Sequence, residues 1–192
     1  TTPQVIDTGE GTLTLTGFNA TTGALSYSYT LKAALDQPGV TATADSIALT
    51  VTDLGGDTSI GTLTVQIVDS TPTAGDDTIT TTVGNAVSGS LASNDAVGAD
   101  VAGTWTVGAT APAHGNVTIN ATTGAYTYMP NAGYQGGDSF TYTVTDKDGD
   151  VVTATATVTV ASNGTPTISI TDNNGAVGGQ VTVDEAALAS GS

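Results

Sequence analysis

Three aspartates stand at alternate positions in the segment Asp146-Lys-Asp148-Gly-Asp150. Calcium takes about six to eight hard oxygen ligands, and carboxylates at alternate positions of a turn can be aimed at one point. The plainer interpretation is a β-hairpin whose Asp-Gly pair supplies the positive φ that a tight turn needs. Because a hairpin needs one Asp-Gly pair and not a run of carboxylates, the spacing favours calcium binding in addition to the turn.

Strands rather than helices must position these side chains, because the dominant hydrophobic period is two. Leu63, Val65 and Ile67 alternate with polar residues, and the same pattern returns at 140–144 and 152–160. Such alternation is typical of antiparallel strands with one face on a core and the other in water. We predict an all-β protein built of tandem Ig-like, Greek-key β-sandwich domains in an elongated arrangement.

The charge of the chain excludes several classes of function. The 192 residues include 18 acidic side chains, two lysines and no cysteine, and the formal net charge is −16. A chain without a basic surface cannot neutralise phosphates, so we expect no nucleic-acid partner. No apolar run reaches the roughly 18 residues that cross a bilayer, so we expect no direct membrane insertion.

Repeated segments define the domains. Residues 19–24, Asn-Ala-Thr-Thr-Gly-Ala, return unchanged 101 residues later, and residues 50–57 return with changes 93 residues later, at 143–150. The Thr-Pro-Thr sequence at 71–73 returns at 165–167; proline suits a junction, where no ladder donor is needed. We predict a sandwich at 1–70 that lacks its first strand or strands, a complete sandwich at 71–161 and the opening of a further repeat at 162–192. Alternatively, Thr2-Pro3 marks a true start and the first domain is merely short.

Distant acidic residues are expected to meet at the junction of the first two domains. In an Ig-like sandwich the turn between the last two strands lies at the end where the first strand begins. We therefore predict a calcium site, or a pair of sites, that bridges and stiffens this junction. Its predicted ligands are Asp146, Asp148, Asp150, Asp76, Asp77 and Asp69, and the weaker candidates are Asp95, Asp53, Asp57 and Asp172.

The segment 72–160 carries a recognisable set of motifs. It opens with Pro72-Thr-Ala-Gly-Asp-Asp77, continues through Ser93-Asn-Asp95 and Pro112-Ala-His-Gly115, and closes on the aspartates of residues 146–150. This set resembles the bacterial Ig-like, cadherin-like repeats of giant RTX adhesins exported by type I secretion, the LapA kind. Residues 11–69 resemble a second repeat type of the same proteins, and residues 181–188 resemble the start of one.

The resemblance implies a structural role at the surface of a bacterial cell. Such repeats stand in tandem between a membrane anchor and distal ligand-binding domains, stiffen in calcium, and support surface attachment and biofilm formation. The implied partners are neighbouring repeats of the same polypeptide, and we expect this fragment to be a monomer. The first unit departs from the motif, since Gly55 stands where Asp148 stands in the second, which puts a calcium site at Asp53 and Asp57 in doubt.

Two other classes of function fit the sequence less well. The first, a carbohydrate-binding, lectin-like sandwich, would need an exposed aromatic face, built from Trp105 and the tyrosines Tyr126, Tyr128, Tyr134 and Tyr142. Aromatic residues that alternate within strands more often form a core. The second, an enzyme, is not expected, because His114 is the only histidine, there is no Gly-x-Ser-x-Gly motif, and the paired aspartates lie in turns.

Overall fold

The computed structural model describes residues 3–39, 42–99 and 101–164. Strands make up nearly all of its regular structure, together with one 3₁₀ turn at Leu91–Ser93. The strands are β1 (Gln4–Asp7), β2 (Gly11–Asn19), β3 (Ala24–Leu31), β4 (Ala42–Thr52), β5 (Thr58–Val68), β6 (Asp77–Thr82), β7 (Val87–Ser90), β8 (Thr104–Val107), β9 (Gly115–Ile119), β10 (Ala125–Pro130), β11 (Gly136–Thr145) and β12 (Val151–Ala161). The prediction of an all-β fold is confirmed.

Strands β6–β12, which we call the second sheet pair, form an Ig-like sandwich. One sheet has the order β6-β12-β11-β8 and the other has the order β7-β10-β9. Neighbouring strands run antiparallel, except that β6 pairs in parallel with β12 over residues 77–82. Both sheets contribute buried side chains to one hydrophobic core, which also takes in Leu91 of the 3₁₀ turn. Two sheets closed over a shared core, with the first and last strands paired, give the Ig-like architecture.

The core of the second sheet pair follows from the alternation in β11 and β12. Phe140 and Tyr142 of β11 are fully buried, and they stand opposite Ala156 and Ala154 of β12 in the strand register. A large ring beside a small side chain fills the space between the sheets without voids or strain. Threonines occupy the alternate positions and keep the outer face polar.

Strands β1–β5, which we call the first sheet pair, are less completely packed. They form the sheets β1-β2-β3 and β4-β5, and no strand described here joins them to the second sheet pair. Leu13, Ile47 and Ile67 are buried, whereas Phe18 and Tyr27 remain about half exposed. The described residues up to Ala161 belong to one compact unit. The domain boundaries therefore stay a prediction, and the further repeat predicted at 162–192 lies almost wholly outside the described residues.

Both sheet pairs share an arrangement of glycine, tyrosine and aspartate that the sequence analysis missed. Gly11 opens β2 beneath the ring of Tyr29, where an added Cβ would come within 2.3 Å of the ring, and Gly115 opens β9 beneath Tyr128, where the distance would be 2.5 Å. The tyrosine hydroxyls donate to aspartates 93 residues apart, Tyr29 to Asp45 at 2.6 Å and Tyr128 to Asp138 at 2.8 Å. The two sheet pairs therefore resemble each other in packing as well as in the sequence of their turns.

Replacing Gly115 by alanine tests this packing. We expect Gly115→Ala to lower the free energy of unfolding by about 1–3 kcal/mol, because the fully buried ring of Tyr128 cannot move aside without straining the core. Gly61→Ala is the matched control, since Gly61 also lies in a strand and an added Cβ there meets no atom within 4 Å. Urea unfolding followed by Trp105 fluorescence measures both; equal midpoints for the two variants would contradict the expectation.

Candidate metal centre

The turn between β11 and β12 meets the end of β5 in a cluster of four aspartates. Asp69 directly follows β5, while Asp146, Asp148 and Asp150 lie between β11 and β12. One carboxylate oxygen from each of Asp69, Asp148 and Asp150 lies within 4.8 Å of the others. We call these four residues the junction cluster, because they join the first sheet pair to the second.

The backbone of the turn fixes the position of Asp146. Its Oδ1 accepts hydrogen bonds from the backbone N–H of Gly149 at 3.1 Å and of Asp150 at 2.7 Å, and Gly149 adopts a φ of +103°. The corresponding turn in the first sheet pair is closed in the same way by Asp53, which accepts from Gly55 and Asp57. The turn therefore needs only its first aspartate, and Asp148 and Asp150 are surplus to the hairpin.

Several oxygens of the junction cluster are buried without a donor. They are both carboxylate oxygens of Asp69, Oδ2 of Asp146 and Oδ1 of Asp148. Asp146 as a whole is 6% exposed. Burying a carboxylate oxygen without a partner is costly, so these oxygens call for a proton donor or for a cation. Hard oxygens crowded at one point fit the ligand preference of calcium.

The pKa values of the cluster reflect this crowding. Burial raises the pKa of Asp69, and hydrogen bonding with Asp150 and the charge of Asp148 raise it further. Burial also raises the pKa of Asp146, and hydrogen bonding with Asp148 raises it further. The pKa of Asp148 is lowered by that same hydrogen bond and by the backbone N–H of Gln37. Without a cation, Asp69 and Asp146 are therefore harder to ionise than isolated aspartates.

Gln37 ties the junction cluster to the first sheet pair. Its backbone N–H donates to Oδ2 of Asp148 at 3.0 Å, and its side-chain Nε2 donates to the carbonyl of Ile67 at 3.3 Å and to Thr43 Oγ1 at 2.8 Å. Nearby, Lys147 lies 3.4 Å from a carboxylate oxygen of Asp36. Sequence reasoning missed Gln37, because a single glutamine in a loop belongs to no motif and its contact with Asp148 spans 111 residues.

The remaining predicted ligands of the second sheet pair lie in a hydrogen-bonded network around the hydroxyl of Tyr142. This hydroxyl is 2.8 Å from Asp77 Oδ2, 3.1 Å from Asp95 Oδ1 and 2.9 Å from the carbonyl of Gly75. Asp95 also accepts from the indole N–H of Trp105 at 2.9 Å, and burial raises the pKa of Asp77. Asp76 accepts from the backbone N–H of Thr155. The aspartates that were predicted to meet at one place therefore fall into two groups. One group is the junction cluster, and the other accepts hydrogen bonds from protein donors.

We expect Tyr142→Phe to destabilise the protein by about 1–3 kcal/mol. The change removes the one hydroxyl proton that the carbonyl of Gly75 and the carboxylates of Asp77 and Asp95 surround, so at least one of these acceptors loses its donor. Tyr27→Phe is the control, because Tyr27 is about half exposed. Urea unfolding at neutral pH compares the two; an unchanged midpoint for Tyr142→Phe would show that the hydroxyl is dispensable.

The other predicted sites are placed as follows. Asp53 and Asp57 lie in an exposed turn, and Asp172 lies outside the described residues. His114 stacks on Tyr134 with ring centroids 4.1 Å apart. Trp105, Tyr128 and Tyr142 are buried in the core of the second sheet pair. These aromatic residues therefore do not form the exposed face that a carbohydrate-binding module needs.

Comparison with known families agrees with the fold of the second sheet pair. Residues 69–161 match the family model of the bacterial Ig domain. The match begins at Asp69 of the junction cluster and ends at the last residue of β12. Bacterial Ig domains are usually extracellular or surface modules with structural or adhesive roles. No described helix is long and apolar enough to cross a membrane.

Ectodomains of protocadherins are among the solved structures to which the chain is similar. Cadherin domains 1–4 of protocadherin gamma B7 align over 85% of this chain and 42% of that chain, with 12% identity and a TM-score of 0.39. The protocadherin gamma B4 ectodomain aligns over 83% of this chain and 26% of that chain, with 14% identity and a TM-score of 0.36. This chain therefore spans less than half the length of either. No curated protein matches the chain.

Proposed function

We propose that this chain consists of extender repeats of a bacterial cell-surface adhesin, stiffened by calcium where one repeat meets the next. The supporting observation is the junction cluster, whose buried carboxylate oxygens lack donors. The motifs of residues 72–160 point to the repeats of giant RTX adhesins exported by type I secretion. In that setting the repeats project a distal ligand-binding region that serves cell adhesion and biofilm formation, and their partners are neighbouring repeats of the same polypeptide.

The ligands for calcium would come from both sides of the junction. Asp69 would contribute from the end of β5, and Asp146 Oδ2, Asp148 Oδ1 and Asp150 from the turn between β11 and β12. Bound calcium would supply positive charge to carboxylates that otherwise repel one another. Because these ligands come from segments far apart in sequence, binding would hold the two sheet pairs at one angle, and the ion-free protein would hinge.

Distances between labels on the two sheet pairs test the stiffening. The chain contains no cysteine, so Thr62→Cys with Thr118→Cys places one spin label on each sheet pair at exposed strand positions. We expect a narrow distance distribution in millimolar calcium and a broad one in chelator. Thr118→Cys with Thr159→Cys keeps both labels on the second sheet pair and should give the same distribution in both conditions.

The outcome separates the proposal from its alternatives. If the distribution across the junction is equally broad with and without calcium, calcium does not stiffen the junction. If a glycan array shows binding by this chain, the lectin-like function gains support in spite of the buried aromatic residues. A non-enzymatic role follows from the proposal, because the acidic residues act as ligands and as hydrogen-bond acceptors within the fold.

A further inference from the structure

The two sheets of the first sheet pair leave an open apolar groove between them. Its volume is about 500 Å³, and its lining includes Phe18, Tyr27, Leu49, Val51 and Leu63. One wall of the groove is β5, which pairs along its length with β4. In the described residues no strand pairs with the other edge of β5. An apolar groove beside a free strand edge is suited to accept a further strand.

The second sheet pair shows what covers the equivalent edge. The repeat offset of 93 residues places β4 and β5 on β11 and β12. On β12 the outer edge is covered by β6 in parallel register, with Ile79 beside Val158. Val158 is fully buried there, whereas its counterpart Val65 is only partly buried. The first sheet pair therefore lacks the cover that β6 gives to the second.

We propose that this groove binds a β-strand from a second copy of the chain, supplied by residues 165–172. This segment begins with the same Thr-Pro-Thr sequence that precedes β6, and Ile168 and Ile170 alternate with threonine and serine. The stretch from β6 through the 3₁₀ turn occupies residues 77–93, and the 28 residues from 165 to 192, outside the described part, are long enough to supply such a strand. The donated strand would add in parallel to β5, with its isoleucines in the groove.

This mode of binding predicts open-ended association. The groove and the donated segment are different surfaces, so each copy can donate to one neighbour and accept from another, head to tail. The proposal departs from the monomer that the sequence analysis expects. It does not depend on calcium, because no residue of the junction cluster lines the groove.

Sedimentation of the full chain tests the proposal. We expect the mean mass to rise above the 18.7 kDa of one chain as the concentration increases from about 1 µM to about 1 mM, with or without calcium. Ile168→Asp with Ile170→Asp blocks the donated segment and should abolish the association. Ser169→Asp with Thr171→Asp adds the same charge on the other face of the strand and should preserve it.

A mixing experiment identifies the receiving surface. Val51→Asp blocks the groove, and Ala48→Asp, on the opposite face of β4, is its control. The chain with Ile168→Asp and Ile170→Asp keeps an intact groove, and the Val51→Asp chain keeps an intact segment. Each variant alone should therefore be a monomer. A mixture of the two should form a one-to-one dimer.

Three results would overturn the proposal. If the wild-type chain stays monomeric up to the highest concentration, a second copy is excluded as the occupant. Binding of the segment in the groove of its own chain would give the same result and would also contradict the proposal. Association that survives Ile168→Asp with Ile170→Asp uses another surface. A mixture that forms no dimer excludes the groove. Far-UV circular dichroism shows whether Val51→Asp still folds. If it does not fold, the variant Ile168→Asp with Ile170→Asp, which changes no described residue, still tests the proposal.

Discussion

Asp69→Asn should remove most of the stabilisation that calcium gives to the chain. At a calcium concentration about a hundredfold above its Kd, a single site that binds only the folded state adds about 2.7 kcal/mol to the free energy of unfolding. Both carboxylate oxygens of Asp69 are buried without a donor, so the substitution removes a ligand and a charge together. In chelator the same variant should be at least as stable as the wild type, because one of the crowded charges is gone.

The measurement is urea unfolding in millimolar calcium and in chelator, with Asp57→Asn as the matched control. Asp57 lies in the corresponding turn of the first sheet pair and is exposed, so its variant should respond to calcium as the wild type does. If calcium does not stabilise the wild type, the junction cluster is not a calcium site. Equal destabilisation of Asp69→Asn in both conditions would assign Asp69 a role in folding and not in calcium binding.

Asp138→Asn should destabilise the protein by about 3–5 kcal/mol at neutral pH. The buried carboxylate of Asp138 accepts four hydrogen bonds. The backbone amides of Ala113 and Ser139 donate to Oδ1, and the amide of His114 and the hydroxyl of Tyr128 donate to Oδ2. An amide in either orientation would place its NH₂ against two of these donors. The loop before β9 would lose its attachment to β11.

The effect of Asp138→Asn should shrink in acid. Burial raises the pKa of Asp138, but the hydrogen bonds from Tyr128 and from the backbone outweigh it, so the folded pKa lies below the ordinary 3.8. A depressed carboxyl pKa contributes stability that is present above the unfolded pKa and is lost as the pH falls through the folded pKa. Urea unfolding of wild type and variant from pH 7 to pH 3 should therefore show the difference narrowing below about pH 4. A difference that stays constant over this range would contradict the assignment.

The fold is predicted well from the sequence, because strands and turns are marked by patterns of neighbouring residues. Alternation of apolar residues with threonine marks β4, β5, β11 and β12, and the repeated turns mark their connections. The pairing of Tyr128 with Asp138 could also have been anticipated, since Tyr29 and Asp45 occur in the first unit in a similar relation. That signal was missed because tyrosine and aspartate in strands are common, and only the glycine beneath each ring makes the set distinctive.

The candidate site is harder to predict, because it depends on distances across the fold. The motif at 146–150 identifies one part of the junction cluster, and the domain boundary identifies Asp69. The sequence does not separate Asp77 and Asp95 from that cluster, since the separation depends on where the hydroxyl of Tyr142 lies. It does not identify Gln37 either, which acts through its backbone N–H, a group that every residue except proline carries.

The parallel pairing of β6 with β12 has a mechanical consequence. These are the first and last strands of the second sheet pair, and six residue pairs join them. A tether that carries load enters this domain at the start of β6 and leaves at the end of β12, which lie at opposite ends of the paired segment because the strands are parallel. Tension would slide the two strands past each other, so all the hydrogen bonds between them would bear the force together and would not open one at a time. The pairing that closes the sandwich is thus also the arrangement in which a β-sheet resists being pulled apart.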